Sequence, residues 1–403
     1  MEGSDAVRGY RPHLVFLGHG AERTGPPILL GHLLAGLGAA DAYDLSVLVA
    51  RSGPMEAAYR RAPATVAAVS TGREPFEGVA AGMRRAGLGS LAPKLQEQRR
   101  RQVVHKVAPA DLIYVNAATP PTAALLRSLE PAANVPVVLH VHELDVGLRR
   151  TLGPIDRQFL LARADHVIAA SDAVARLLIG GHQIDPDRIT VCAEFVDVSS
   201  VAPADRTTVR RQIGVPDDAL VVGSVGLPDW RKDPEHLLRA AVAVRQSGAD
   251  PHLVWVGGDP TSVDGIHLHD EAVRLGLDDR FHHVAHTDRP DRWLGAFDIF
   301  ALPAREDALP LAALEAAAAG LPLVCFRAGG VADLCDQGAG LAVEYPDTEA
   351  FAAALLALAT DPEARRQTGA QAAALVRRHH DLADGVNRIR RVIDAARVGP
   401  PSR

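Results

Sequence analysis

Three acids stand in a segment otherwise built of alanine, leucine and glycine: Glu306, Asp307 and Glu315 in "REDALPLAALEAAAAGLPLVCF", residues 305–326. A carboxylate taken out of water without a partner is costly, so it shifts its pKa, finds a cation or holds a ligand. "DIFALPA" reads as a strand, "REDALP" as a turn and "LAALEAAAAG" as a helix stopped by Gly320, after which "LPLVCF" begins another strand. A helix start beyond a strand end offers unpaired backbone N–H groups and the positive end of the helix dipole, which suit a phosphate. Glu315 then lies about two turns past Asp307, on roughly the same face. A carboxylate on the helix suits a ribose diol, and one on the turn suits sugar hydroxyls. The competing reading is that Glu306 and Asp307 only cap the helix and Glu315 is solvated.

Other segments carry complementary chemistry. "GSVGLPDWRKDPEHLLRAA" (223–241) ends a strand in glycines and sets Arg231 and Lys232 just ahead of a helix. Two cations there can neutralise a diphosphate and the charge that grows on it as it leaves, although a solvated surface pair is the plainer reading. "FLGHGAERTGPPILLGHLLAGL" (16–37) is a strand, a Gly-rich loop and a helix, but Arg23 occupies the third glycine place of a dinucleotide fingerprint, which is therefore weak. In "VVLHVHEL" (137–144), His140 and His142 share one strand face at its carboxyl end, with Glu143 next. Metal binding by H-x-H needs a third ligand, and none has a telling position. A hydrogen bond to substrate suits His142, whereas burial in the core competes, more strongly for His140. Asp185 and Asp187 outline a D-x-D motif, yet "IDPDRITV" reads as a turn leading into a strand. The pairs His267/His269, His282/His283 and His379/His380 lack ligand-like partners and read as surface or turn residues.

The elements that must position these groups follow from apolar runs. Residues 13–18, 45–50, 111–116, 135–142 and 166–171 read as buried strands, and 220–226, 252–258, 298–303 and 321–326 repeat the rhythm. Continuous apolar strands between helical patterns imply parallel sheets covered on both faces, and two such series imply two doubly wound α/β domains. The break falls near "VDVSSVAPADRTT" (196–208), giving units 1–198 and 199–380, with 381–403 as a closing helix. Ligands of such sheets sit beyond the carboxyl ends of the strands, so the chemistry belongs in a cleft between the two domains.

Bulk properties exclude several classes. At 403 residues the chain exceeds one comfortable core, and a formal net charge of -6 gives no footprint for nucleic acid. Cys192, Cys325 and Cys335 form no C-x-x-C pair and suggest neither a disulfide framework nor a zinc ribbon. No apolar run reaches the roughly 20 residues of a membrane span or the pattern of a secretory signal. The expected compartment is the cytoplasm.

Together these segments resemble the retaining glycosyltransferases of family 4, which have the GT-B fold of two facing Rossmann-like domains. The resemblance runs through "AERTGPPILLGHLL", "VVLHVHEL", residues 166–197, "GSVGLPDWRK", "FDIFALPAREDALPLAALEAAAAGLPLV" (similar to the E-x7-E region) and "DPEARRQTGAQA". It implies C-terminal helices crossing back to the N-terminal domain, which faces the acceptor, while 199–380 holds the donor. It also implies that Arg231 and Lys232 hold the donor diphosphate, Glu315 the ribose and Asp307 the sugar hydroxyls, with Glu306 alongside. Gly25 would approach the phosphates, and His142 the reacting sugar, with His140, Glu143 and Asn116 on the acceptor side. Pro310 stands where many relatives have glycine, so the phosphate donors would be the N–H groups of Leu309, Leu311 or Ala312.

The expected reaction moves a sugar from a nucleoside-diphosphate sugar, UDP- or GDP-linked, to a soluble small-molecule acceptor, with retention and without metal or cofactor. High Ala, Arg and Gly usage associates with GC-rich bacteria, where such enzymes decorate specialised metabolites. The alternatives are transfer to a lipid-linked or cell-envelope glycan at the membrane surface, a sugar-nucleotide epimerase of the same fold, or a non-catalytic sugar-nucleotide-binding protein. The basic run "KLQEQRRRQVVHK" (94–106) reads as a solvated helix face or a peripheral membrane contact.

Overall fold

A computed structural model of the protein describes residues 10–62, 64–70, 109–129 and 135–398. The basic run 94–106 and residues 399–403 lie outside them. In the N-terminal half the strands are β1 (His13–Gly18), β2 (Asp44–Arg51), β3 (Ala64–Ser70), β4 (Leu112–Asn116), β5 (Val137–Val141), β6 (His166–Ala169) and β7 (Ile189–Val191). They form one parallel sheet in the order β3-β2-β1-β4-β5-β6-β7. The second half supplies β8 (Val221–Val225), β9 (His252–Val256), β10 (Phe281–Val284), β11 (Ile299–Leu302), β12 (Leu323–Phe326) and β13 (Gly340–Val343), ordered β10-β9-β8-β11-β12-β13, again all parallel. Each sheet contains the doubly wound order 3-2-1-4-5-6, whose ligand crevice lies where the order reverses. That places the carboxyl ends of β1 and β4, and of β8 and β11, at the cleft.

The central strands form because their residues are apolar on both faces. Leu14 to Leu17 and Val167 to Ala169 are fully buried, as helices cover both sides of the sheet. Strands β3, β10 and β13 are absent from the sequence reading, and all are sheet edges. An edge strand is less enclosed, so "FHHV" and "GLAV" lack the continuous apolar signature.

The chain crosses between the sheets twice. The first crossing follows β7; at the second, the N–H of Val196 donates to the carbonyl of His380 at 2.9 Å, and the ring of His380 bonds the Glu194 carbonyl at 2.8 Å. His380, expected at the surface, is therefore buried as a clamp between the two crossings. Beyond it the helix Leu382–Val398 buries Val386, Ile389, Val392 and Ile393 against Leu29, Leu33 and Leu37 of the helix Gly25–Ala39. The Tyr43 hydroxyl donates to Asp394 at 2.7 Å and fixes the far end. Among the described residues, no helix is long and apolar enough to cross a membrane. Asp185 caps the turn Pro186–Arg188 ahead of β7, which gives the D-x-D outline a structural role.

The return helix sits this close because Gly36 has no side chain: an added Cβ would meet Val386 Cγ1 at 2.6 Å and its stiff Cβ at 3.2 Å. Gly36→Ala should destabilise the protein by about 1–3 kcal/mol in urea unfolding, the usual cost of overpacking; an unchanged midpoint would show that the two helices are not locked together.

Candidate functional site

Beyond β11 the chain turns sharply and places Asp307 between the two cations read from the sequence. Its Oδ2 lies 2.5 Å from Arg231 Nη1 and 2.7 Å from Lys232 Nζ. Burial opposes ionisation of Asp307, but Lys232 and Arg231 outweigh it and hold its pKa below the ordinary value. Burial lowers the Lys232 pKa against the pull of Asp307, while Asp307 raises that of Arg231. The two cations converge on the one carboxylate oxygen. Asp307, expected to be free for sugar hydroxyls, is instead their counterion, because a buried ammonium and a half-buried guanidinium need an anion at hand. Nor does it share a helix face with Glu315: the helix is Leu311–Ala318, and Asp307 belongs to the preceding turn, its N–H bound to Ala328 O at 3.1 Å. Gly329 permits that turn, since a Cβ there would lie 1.6 Å from Asp307 O.

The helix Leu311–Ala318 starts at the crevice. Ala313 N–H reaches back to the carbonyl of Pro310 at 3.0 Å, and among the described residues no hydrogen bond engages the N–H groups of Leu309, Leu311 and Ala312. Such N–H groups can donate to an anion. The carboxylate of Glu315 accepts no hydrogen bond among the described residues, and burial, with Asp291 adding repulsion, pushes its pKa to about 7 against Arg23 and Arg289. A half-buried acid without a donor suits a diol.

Glu306 departs from expectation. Its carboxylate accepts from Val146 N–H at 3.0 Å and from Gly147 N–H, both on the opposite lobe. It bridges the lobes rather than facing the donor, because those N–H groups open the helix Asp145–Thr151 and have no acceptor within it. Arg23, read only as a failed glycine, makes a second bridge by donating to Asp288 O at 2.9 Å. Gly25 is the first residue of its helix, and a Cβ there would meet nothing within 4 Å, so packing does not require glycine.

At the end of β5, His142 Nδ1 lies 2.6 Å from Glu194 Oε1. Glu194 was missed in the sequence reading because it is 52 positions away, brought in by the first crossing. It supplies the third group that the H-x-H pair lacked: His140, His142 and Glu194 offer ligand-type atoms within 4.8 Å of one another. Two ligands of one tetrahedral zinc, bound at about 2.0–2.1 Å, stand roughly 3.4 Å apart, so the 2.6 Å separation is that of a hydrogen bond. His140, expected on the acceptor side, is fully buried beneath His142 and bonds the Tyr114 hydroxyl at 2.7 Å; burial drives its pKa well down. Burial raises the pKa of Glu143, whose Oε2 accepts from the His142 N–H at 3.2 Å, with Arg231 among the opposing charges. Asn116 is buried and donates to the Pro26 carbonyl at 2.9 Å, tying β4 to the start of the first helix rather than reaching an acceptor.

Two facing parallel sheets, with a basic pair and a helix start in the crevice between them, define the GT-B architecture. Comparison with known proteins agrees. Residues 29–200 match the family profile described as Glycosyltransferase Family 4, and residues 216–361 that described as Glycosyl transferases group 1. The chain thus carries a glycosyltransferase family 4 domain followed by a glycosyltransferase group 1 domain. A D-inositol 3-phosphate glycosyltransferase of Kribbella flavida is 34% identical over 215 residues, 51% of each chain. One of Corynebacterium kroppenstedtii is 32% identical over 271 residues, 62% of this chain and 59% of the relative. The chain thus spans about half the length of the curated relatives it matches. Among solved structures, Anabaena Alr3699/HepE in complex with UDP-glucose superposes with a TM-score of 0.76 at 20% identity, over 95% of this chain and 99% of that one. WaaG, a glycosyltransferase involved in lipopolysaccharide biosynthesis, gives 0.67 at 17% identity, over 94% and 99%.

Glu315 sets a pH signature. Its acid titrates near 4.5 unfolded and about 7 folded, so as pH rises through that window the unfolded state ionises first and folding loses about 3 kcal/mol, levelling off above 7. Glu315→Gln should abolish that loss and be the more stable protein at about pH 8 without nucleotide, as read by urea unfolding at acid and alkaline pH. Identical pH profiles for the two proteins would show that Glu315 is not a buried acid.

Proposed function

We propose that the protein is a retaining glycosyltransferase that moves a sugar from a nucleoside-diphosphate sugar to a small-molecule acceptor. The observation that carries this reading is the Arg231–Lys232 pair held over Asp307 beside the free N–H groups of Leu309, Leu311 and Ala312. A diphosphate entering there meets the remaining donors of the two cations and the helix N–H groups, so its charge is met as it grows during departure. Asp307, which holds both cations through Oδ2, offers Oδ1 as an acceptor for a hydroxyl of the transferred sugar. Glu315, deprotonated on binding, accepts from the ribose diol, so donor affinity rises from acid to neutral pH.

Departure and attack then occur on one face of the sugar, with His142 on the acceptor side of the anomeric carbon. Two cations and a helix start supply the charge stabilisation that a metal ion supplies elsewhere. The name of the curated relatives puts inositol 3-phosphate in the acceptor panel.

UDP-glucose incubated with an acceptor panel that includes inositol 3-phosphate should release UDP only when acceptor is present, giving a product of retained anomeric configuration by proton NMR. Lys232→Ala should lower turnover roughly 10²–10³-fold, the usual effect of removing one donor to a developing charge. Equal turnover by Lys232→Ala and wild type would remove the proposed site, and acceptor-independent release of epimerised sugar would point to an epimerase.

A further inference from the structure

A polar chain runs behind the cleft, and of its members the steps above use His142 alone. Tyr114, fully buried on β4, bonds His140 Nδ1 at 2.7 Å; the His140 and His142 rings lie 3.9 Å apart; and His142 Nδ1 bonds Glu194 Oε1 at 2.6 Å. Glu194 is itself held at both ends of its backbone: its N–H donates to Ala170 O at 3.2 Å, and its carbonyl accepts from the ring of His380 at 2.8 Å. One anchor, Ala170, directly follows β6, and the other, His380, lies at the second crossing, so the carboxylate is placed between a strand end and a crossing.

A carboxylate only accepts, so the nitrogen facing it carries the proton. His142 is therefore fixed as the Nδ1–H form, and the atom left variable is Nε2, which is buried and has no partner among the described residues. We propose that Glu194 is a positioning residue for the transfer reaction: by accepting from Nδ1–H it sets the tautomer and ring orientation of His142, so that Nε2 is the atom presented to the substrate. This rests on the reading that His142 faces the transferred sugar. The principle is that of other histidines whose second nitrogen is tied to a carboxylate, where loss of the partner leaves the residue present but wrongly oriented.

The charged and titratable groups facing His142 among the described residues are His140 and Glu143 on its own segment, Glu194 from the first crossing and His19 from the loop after β1. Burial disfavours the imidazolium, but Glu194 outweighs it and the His142 pKa lies above the ordinary value. Removing only the charge of Glu194 must therefore lower that pKa, whereas a purely structural role would leave it in place.

The test compares Glu194→Gln, Glu194→Ala and His142→Ala by kcat, donor KM and imidazole nitrogen NMR. Glu194→Ala should lose roughly 10–100-fold in kcat with little change in donor KM, and its His142 should populate both tautomers. Glu194→Gln keeps an acceptor at nearly the same volume, so it should retain the Nδ1–H form and recover part of the activity, while the His142 titration moves to lower pH. Wild-type kcat in both Glu194 variants beside a crippled His142→Ala overturns the positioning role and leaves the site reading intact. So does an unshifted His142 titration in Glu194→Gln. Wild-type turnover in His142→Ala removes the role given to His142 and this proposal with it.

Discussion

One carboxylate holding two cations is the interaction on which the crevice depends. Asp307 sits within hydrogen-bond distance of both Arg231 and Lys232, and Lys232 is buried. Separating any of them from a partner inside the protein would cost several kcal/mol, so the three are kept as a unit. The unit carries a surplus positive charge beside free helix N–H donors. A partly buried surplus of this kind is tolerable at a place where an anion enters, and it explains why an otherwise apolar segment retains its acids.

The same turn links the lobes. Glu306, next in the chain, reaches across to Val146 and Gly147, and Arg23 reaches back to Asp288. The residues that order the charge unit are thus neighbours of those that bridge the cleft. The helix Leu382–Val398 adds a third tie, made by apolar packing rather than charge. Nearness of the lobes brings Arg23 close enough to act on Glu315.

Much of this was legible in the sequence because the central strands are buried on both faces and therefore read as unbroken apolar runs. β1 was read with the bounds it has, His13–Gly18, and the turn and helix around Asp307 and Glu315 fell where expected. The edge strands were not legible, since exposure dilutes their pattern. The basic pair, the helix start and His142 were legible by residue type and position. What one of those residues does to another was not: that Asp307 binds the cations, or that Glu306 turns to the other lobe, depends on a tight turn set by Gly329. Glu194 was invisible because nothing local marks it, and only the first crossing brings it to His142.

The account's central claim is that the crevice is built for a diphosphate, and calorimetric titration of UDP against uridine at low and moderate salt tests it most directly. The account predicts that UDP binds, weakens as salt rises because charge carries much of the affinity, and stabilises the fold by about 2.7 kcal/mol at a hundredfold excess over its Kd, while uridine binds far more weakly. Equal affinity for uridine and UDP, insensitive to salt, would contradict it.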